Sequence, residues 1–238
     1  MTSSETVAVR RLSIEELNTY IYCGAKYFSD TKLKEKESLY RKRRRLVQGA
    51  VNEMTLHGLG STPDTGRLAP ISDMLHSSLP EKDAKAALTL LENFARLVSE
   101  YEMTLTGSVM PFELSYEGSI ITSWLDCTVK DAKRGTILPV VVDIGSSRYI
   151  ERYNPIAYRC QTIADHLEIV YGTVPPITVI SPSTAKRWVF NHKRFGPILK
   201  ASISEAIRSI DEDFFPVRYG WWCATCDTRG LCHCFPER

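Results

Sequence analysis

No apolar run in this chain is long enough to cross a bilayer, and its start carries no secretory-signal pattern. No internal repeat and no low-complexity linker is visible along it. Neither sign of charge dominates: 30 Lys and Arg stand against 28 Asp and Glu, a formal +2, so bulk charge alone predicts no nucleic-acid partner. Histidine is scarce, and His76, His166 and His192 show no ligand spacing, so they read as surface or satisfied side chains. These absences make an intracellular protein of the cytoplasm or nucleoid, with no membrane partner, the expectation. At 238 residues and 43% apolar composition, the chain has enough material for one domain with a full core.

Cysteine, by contrast, is plentiful. Seven residues are an odd number, and four of them crowd into the last sixteen positions. Without an export signal, that pattern points to metal rather than to disulfides. Cys127 and Cys160 lie alone in apolar surroundings and read as small buried hydrophobes. The tail WWCATCDTRGLCHCFPER sets out Cys223-x2-Cys226-x5-Cys232, a spacing by which a tight loop aims three thiolates at one centre. Thiolates suit zinc or an iron–sulfur cluster. In the zinc case Cys234 or His233 supplies the fourth ligand locally. Trp221 and Trp222 beside it either shield such a centre or stack on unpaired bases.

Periodicity divides the rest. Ser13-x-x-Glu16 is a capping-box signature, and Ile14, Leu17, Tyr20 and Ile21 then recur at helical spacing, predicting a helix over about 14–28. Further helices are predicted at about 36–57 and 80–102, with loop composition, STPDTG at 61–66, between them. Strand-like segments follow at about 105–116, 119–130 and 137–143, then a helix at 154–171. Strands at 177–181 and 187–191 and a last helix at 196–212 complete the order. The pattern predicts an α/β (α+β) protein on one mixed sheet flanked by helices. The charge that is concentrated sits in the second helix: Arg41, Lys42, Arg43, Arg44 and Arg45 form a basic face that either is merely solvated or tracks phosphates.

The stretch LSIEELNTYIYCGAKYFSD resembles the S-x-x-x-L-x-x-Y-x-x-C-P-x-x-x-Y opening of the RecB-like nucleases of the PD-(D/E)XK superfamily that carry an iron–sulfur staple. That branch includes the AddB-type helicase–nucleases and the CRISPR-associated iron–sulfur exonucleases. The resemblance implies that Cys23, Cys223, Cys226 and Cys232 jointly hold a four-iron cluster clipping the two ends together, with zinc as the alternative. Gly24 stands where the family has proline. The implied organisation is a single domain over 1–238: a helical insertion at about 30–103, a core at about 104–212, and a cluster-binding tail at 213–238 closing on Cys23.

The same resemblance places Asp126 and Asp143 at the two acidic positions that bind magnesium or manganese in active members. In LPVVVDIGSSR, however, Gly145 falls where the catalytic lysine belongs, and Ser123 replaces a glycine. In the second helix Asn52 or Glu53 stands at the usual histidine, with His57 one turn further on. Gln161 is kept from a Q-x-x-x-Y pattern whose tyrosine has become Asp165. Lys130 is the candidate for a relocated lysine, against a plain solvated-turn reading, and Arg148 and Arg159 are other cations near by in sequence. The implied function is a degenerate nuclease acting as a DNA-binding or scaffolding subunit of a DNA-processing or transcription assembly. The alternatives are an active metal-dependent single-strand DNA exonuclease and a zinc-binding interaction module.

Overall fold

The computed structural model describes residues 9–32, 39–57, 68–144 and 155–218, together with Gly220, Cys223, Cys226 and Cys232. The chain separates into two compact units, one formed by residues 1–35, 112–123 and 197–238 and the other by residues 36–111 and 124–196.

In the first unit, the short strand β1 (Arg11–Ser13) pairs in parallel with β4 (Ser119–Leu125), which is also joined to β3 (Met110–Tyr116) in a three-stranded sheet. Ser13 ends β1 and caps α1 (Ile14–Tyr22) through the predicted box. Its hydroxyl accepts the Glu16 N–H at 3.1 Å, and the Glu16 carboxylate accepts the Ser13 N–H at 2.7 Å. Ile14, Leu17 and Tyr20 are the buried face of this helix. The predicted helix over 14–28 is in fact two helices. Cys23 adopts extended backbone (φ −163°, ψ 112°) and α2 (Gly24–Lys32) starts immediately after it. Most of α7 (His192–Asp211) belongs here as well, and Arg10 pairs with Asp211 at 3.0 Å.

The second unit holds α3 (Leu39–His57), α4 (Leu68–Ser78) and α5 (Glu81–Glu100) with a five-stranded sheet. Its order is β2 (Met103–Gly107), β5 (Cys127–Asp131), β6 (Ile137–Val142), β7 (Ile177–Ser181) and β8 (Lys186–Phe190). All neighbours run antiparallel except β6 and β7, which are parallel and joined through α6 (Pro155–Tyr171). A parallel pair needs such a crossover, and α6 supplies it. Ala84, Ala87, Leu91, Phe94, Leu97 and Val98 of α5 form an apolar face. They pack into one core with Val47, Ala50, Val51 and Met54 of α3 and with Leu105, Val129, Leu138, Val140 and Val142 of the sheet.

Two strand predictions change accordingly, and the single mixed sheet becomes two mixed sheets. The segment at 105–116 is β2 and β3, which lie in different sheets, and the segment at 119–130 breaks at Asp126 into β4 and β5. Leu125, Asp126 and Cys127 are all buried in succession, so strand alternation stops there and the chain passes from one sheet to the other.

Candidate functional site

Asp126 sits at that break with its carboxylate fully buried, 0% exposed. Trp124, the last of the half-buried row of β4 (Ile120, Thr122, Trp124), stands two residues before it. The Trp124 indole N–H donates to Oδ1 at 2.8 Å, and Gln48 Nε2, on α3, donates to the same oxygen at 2.6 Å. Oδ2 accepts the backbone N–H of Val142 at 2.6 Å. Arg159 of α6, itself 4% exposed, completes the set: Nη2 donates to Oδ2 at 2.7 Å and Nη1 to Oδ1 at 3.4 Å. The same Nη2 reaches the carbonyl of Val142 at 3.0 Å, and the guanidinium lies 4.8 Å from the centre of the Trp124 ring.

The chemistry of this centre follows from its lone pairs. A carboxylate offers about four acceptor sites. Asp126 receives five donor contacts from four residues. A divalent cation needs free oxygen lone pairs at about 2.0–2.1 Å for magnesium. It would have to displace the buried Val142 N–H and Arg159 or the half-buried Gln48 and Trp124, and it would meet the guanidinium at close range. Arg159 already supplies the positive charge, held planar between a carboxylate, a carbonyl and an aromatic face. Such a centre binds a cation permanently and covalently attached to the chain.

Asp143 is 3% exposed at the end of β6, where its N–H donates to the carbonyl of Ile180 at 2.8 Å. Both carboxylates raise the thiol of Cys160, whose pKa is pushed up to about 12, mainly by burial, while Arg159 lowers it. Gly145 and Arg148 lie outside the described residues. Gln161 is buried, but its Nε2 donates to Asp165 at 2.8 Å within α6, one turn along the same helix. Lys130 is exposed on β5, four residues and roughly 13 Å of extended chain from Asp126. On α3, Asn52 bonds to Gln48 at 3.4 Å and Glu53 is exposed. The side chain of His57 lies outside the described set.

Gln48 and Trp124 were not among the sequence candidates. Gln48 is one turn before Asn52, at i and i+4 on one helix face, and Trp124 precedes Asp126 by one strand repeat. Those two spacings are the signals that point to them. Arg159 was named only as a neighbouring cation, and it is the residue that grips the carboxylate.

The second candidate centre is the cysteine set. Cys23 is buried between α1 and α2, and the segment leading to the tail runs directly beside it. Gly24 N–H donates to the carbonyl of Pro216 at 2.9 Å, Tyr20 Oη to the carbonyl of Phe214 at 2.7 Å, and Arg218 Nη1 to the carbonyl of Ile21 at 2.6 Å. The Phe215 ring stacks on Tyr27 with centroids 5.8 Å apart and touches Phe28 at 5.3 Å. A Cβ on Gly24 would stand 2.7 Å from the Phe215 carbonyl carbon, closer than such atoms approach. Glycine is thus required where the family pattern has proline, which would also remove the N–H. Cys223, Cys226 and Cys232 are half-buried, with Cys226 N–H directed to the Cys223 carbonyl at 3.4 Å. Among the described residues no three Cys, His, Asp or Glu side chains are grouped so as to hold a metal ion. Trp221, Trp222, His233 and Cys234 lie outside those residues. Cys127 and Cys160 are buried free thiols, Cys127 being raised well above the ordinary range by burial and by Asp126.

In the basic stretch of α3, Arg45 is exposed and Lys42 half-exposed, while the side chains of Arg41, Arg43 and Arg44 lie outside the described set. Among the described residues no helix is long and apolar enough to cross a membrane.

Two mixed sheets with flanking helices and a buried acidic centre at the end of β6 define a mixed α/β fold. Among solved structures the chain is similar to a Eubacterium rectale protein named "Putative exonuclease", at TM-score 0.54 and 13% identity, with 99% of this chain and 92% of that one covered. It also superposes on a protein designated SSO0001 at TM-score 0.49 and 12% identity, covering 96% and 88% of the two chains. The chain therefore shares its fold with the Eubacterium rectale protein. No family model matches the chain. No curated protein matches it either.

Proposed function

We propose that this chain is a nuclease-fold protein without nuclease activity, which binds DNA and serves as a subunit of a DNA-processing or transcription assembly. The observation that supports this reading is the Asp126–Arg159 pair. A metal-ligand carboxylate of the resembled family is here saturated by donors and neutralised by a guanidinium. Hydrolysis of a phosphodiester by the family's chemistry needs a divalent cation to polarise phosphate and water, and a positioned lysine near it. Lys130, the remaining lysine candidate, is exposed and far along β5. The test is incubation of end-labelled single-stranded DNA with the full chain and millimolar magnesium or manganese. Intact DNA is the expected result. Cleavage that disappears in Asp143→Ala would establish the rival exonuclease built on Asp126, Asp143 and Lys130.

Cys23, Cys223, Cys226 and Cys232 are proposed to hold a four-iron cluster. The hydrogen bonds that draw residues 214–218 along α1 and α2 support this, since the chain leaves that contact only a few residues before Cys223. Four thiolates are soft ligands that match iron–sulfur or zinc. The cluster would supply a covalent cross-link between distant parts of the chain, stabilising it by restricting the unfolded state. Protein purified without oxygen should show broad visible absorption that is lost in Cys23→Ser. A colourless protein with stoichiometric zinc would replace the cluster with the zinc reading.

A further inference from the structure

Between Glu168 and Glu205 the chain carries no carboxylate. The cations of that stretch collect at one border of the five-stranded sheet. β8 is an edge strand, bonded to β7 on one side only. Alternation puts Lys186, Trp188 and Phe190 on one face of it. Phe195, in the first turns of α7, lies against Phe190 with centroids 6.4 Å apart, which brings His192, Lys193 and Arg194 to the same border. Lys186, Lys193 and Arg194 are exposed, and Arg187, Trp188 and His192 are half-exposed. Arg187 has Asp131 at 3.9 Å, but Lys186, Lys193 and Arg194 form no ion pair among the described residues.

Arg187 also lies over the Tyr101 ring at 5.1 Å and Arg194 over the Phe195 ring at 5.0 Å, but the charge at this helix end opposes folding rather than serving it. Helix N-termini carry about half a positive charge and favour acids, yet the first turn of α7 holds none and presents Lys193 and Arg194 instead. Asn191 caps the helix, accepting the Arg194 N–H at 3.0 Å, so the cations do not serve as caps. Uncompensated cations on an edge strand and at the positive end of a helix repel one another unless an external polyanion lies between them. The half-exposed Trp188 among them offers a ring face, which suits unpaired bases.

We infer that Lys186, Lys193 and Arg194, with Trp188, form a track for the sugar–phosphate backbone of single-stranded DNA. The inference rests on the DNA-binding reading above and adds a surface distinct from the basic stretch of α3. Each phosphate neutralised on a single strand contributes about −0.7 to the slope of log affinity against log salt. The test is fluorescence anisotropy of labelled oligo-dT with the full chain over a salt series. The variant Lys186→Gln/Lys193→Gln/Arg194→Gln should bind about tenfold more weakly at low salt, with the slope flattened by about 2. Its melting temperature should hold or rise, because charge opposing the α7 dipole is removed. Unchanged binding in this variant, with weakening in Lys42→Gln/Arg45→Gln, would overturn the track and leave the DNA-binding reading standing. No binding by the unmodified chain at low salt would overturn both. Tighter binding to a duplex of equal length would overturn the assignment to single strands. If the triple variant unfolds, Lys193→Gln alone should flatten the slope by about 0.7, and an unchanged slope there is equally decisive against the track.

Discussion

Replacing Arg159 with methionine removes the cation from a carboxylate that is 0% exposed, while keeping a side chain of similar length in the pocket. Asp126 loses two of its five donor contacts and the charge that neutralises it, and Val142 loses a partner for its carbonyl. Breaking a buried ion pair by deleting one partner costs about 3–5 kcal/mol. At about 1.4 kcal/mol per decade, that lowers the folding constant by roughly two to three and a half orders of magnitude. For a chain whose total stability is of order 5–15 kcal/mol, the loss is a third or more in most cases. Urea unfolding followed by far-ultraviolet circular dichroism and by tryptophan fluorescence measures it, coincident transitions being the requirement for a two-state treatment. The double replacement Asp126→Leu/Arg159→Met should recover a large part of the loss, since an apolar pair of similar volume leaves no stranded charge. The coupling between the two sites should reach about 2 kcal/mol. A cost below about 1 kcal/mol for Arg159→Met, or strictly additive single effects, would refute the reasoning that the pair is the settled occupant of the centre.

Three further outcomes follow from the same structure. Gly24→Ala, which in an ordinary helix would stabilise by about 1 kcal/mol, should destabilise by about 1–3 kcal/mol in denaturant titration, because its Cβ meets the Phe215 backbone at 2.7 Å. Gly24→Pro should cost more, having also lost the N–H to Pro216. With Cys160 raised from 9.0 to about 12, its proton stays on in the folded chain while the unfolded chain releases it. Stability from this group is therefore complete below pH 9.0 and falls as the pH rises from there towards about 12, and Cys160→Ala should flatten that part of the stability–pH curve. Trp124→Phe keeps an aromatic face for Arg159 but deletes the donor to Asp126 Oδ1. It should cost about 1–3 kcal/mol in the same unfolding assay.

Where local chemistry decides the structure, the sequence was readable. The Ser13/Glu16 box places the start of α1, and ITVIS is β7 to the residue. Other elements depend on partners distant along the chain. Cys23 interrupts a helical repeat without a composition signal of its own, because the break is fixed by Phe214, Phe215 and Pro216 packing alongside. Asp126 ends β4 because its carboxylate is claimed by Gln48, Val142 and Arg159, none of them within fifteen residues of it. The helix α4 was hidden by Pro70 and its serines, although proline is tolerated in a first turn, where no intrahelical N–H is needed. The last helix was expected at about 196–212, yet α7 begins at His192 behind the Asn191 cap and carries Pro197 inside it. That shift moves Lys193 and Arg194 from a loop onto a helix end. At the centre, Asp126 and Asp143 were singled out from the sequence alone. The grip of Arg159 on Asp126 was not, because it depends on α6 crossing back over the end of β6.

The most direct test of the central claim is a manganese titration of the full chain, read by thermal unfolding and by electron paramagnetic resonance of the free ion. A cation held in a nuclease-type centre at one hundred times its dissociation constant stabilises by about 2.7 kcal/mol. At about 2–4 °C per kcal/mol for a chain of this size, the midpoint would rise by roughly 5–11 °C. With Arg159 in place, no shift attributable to Asp126 or Asp143 is expected, and no manganese site that depends on them. A rise of that size, abolished by Asp143→Ala, would show that a divalent cation enters the centre and that Arg159 does not exclude it.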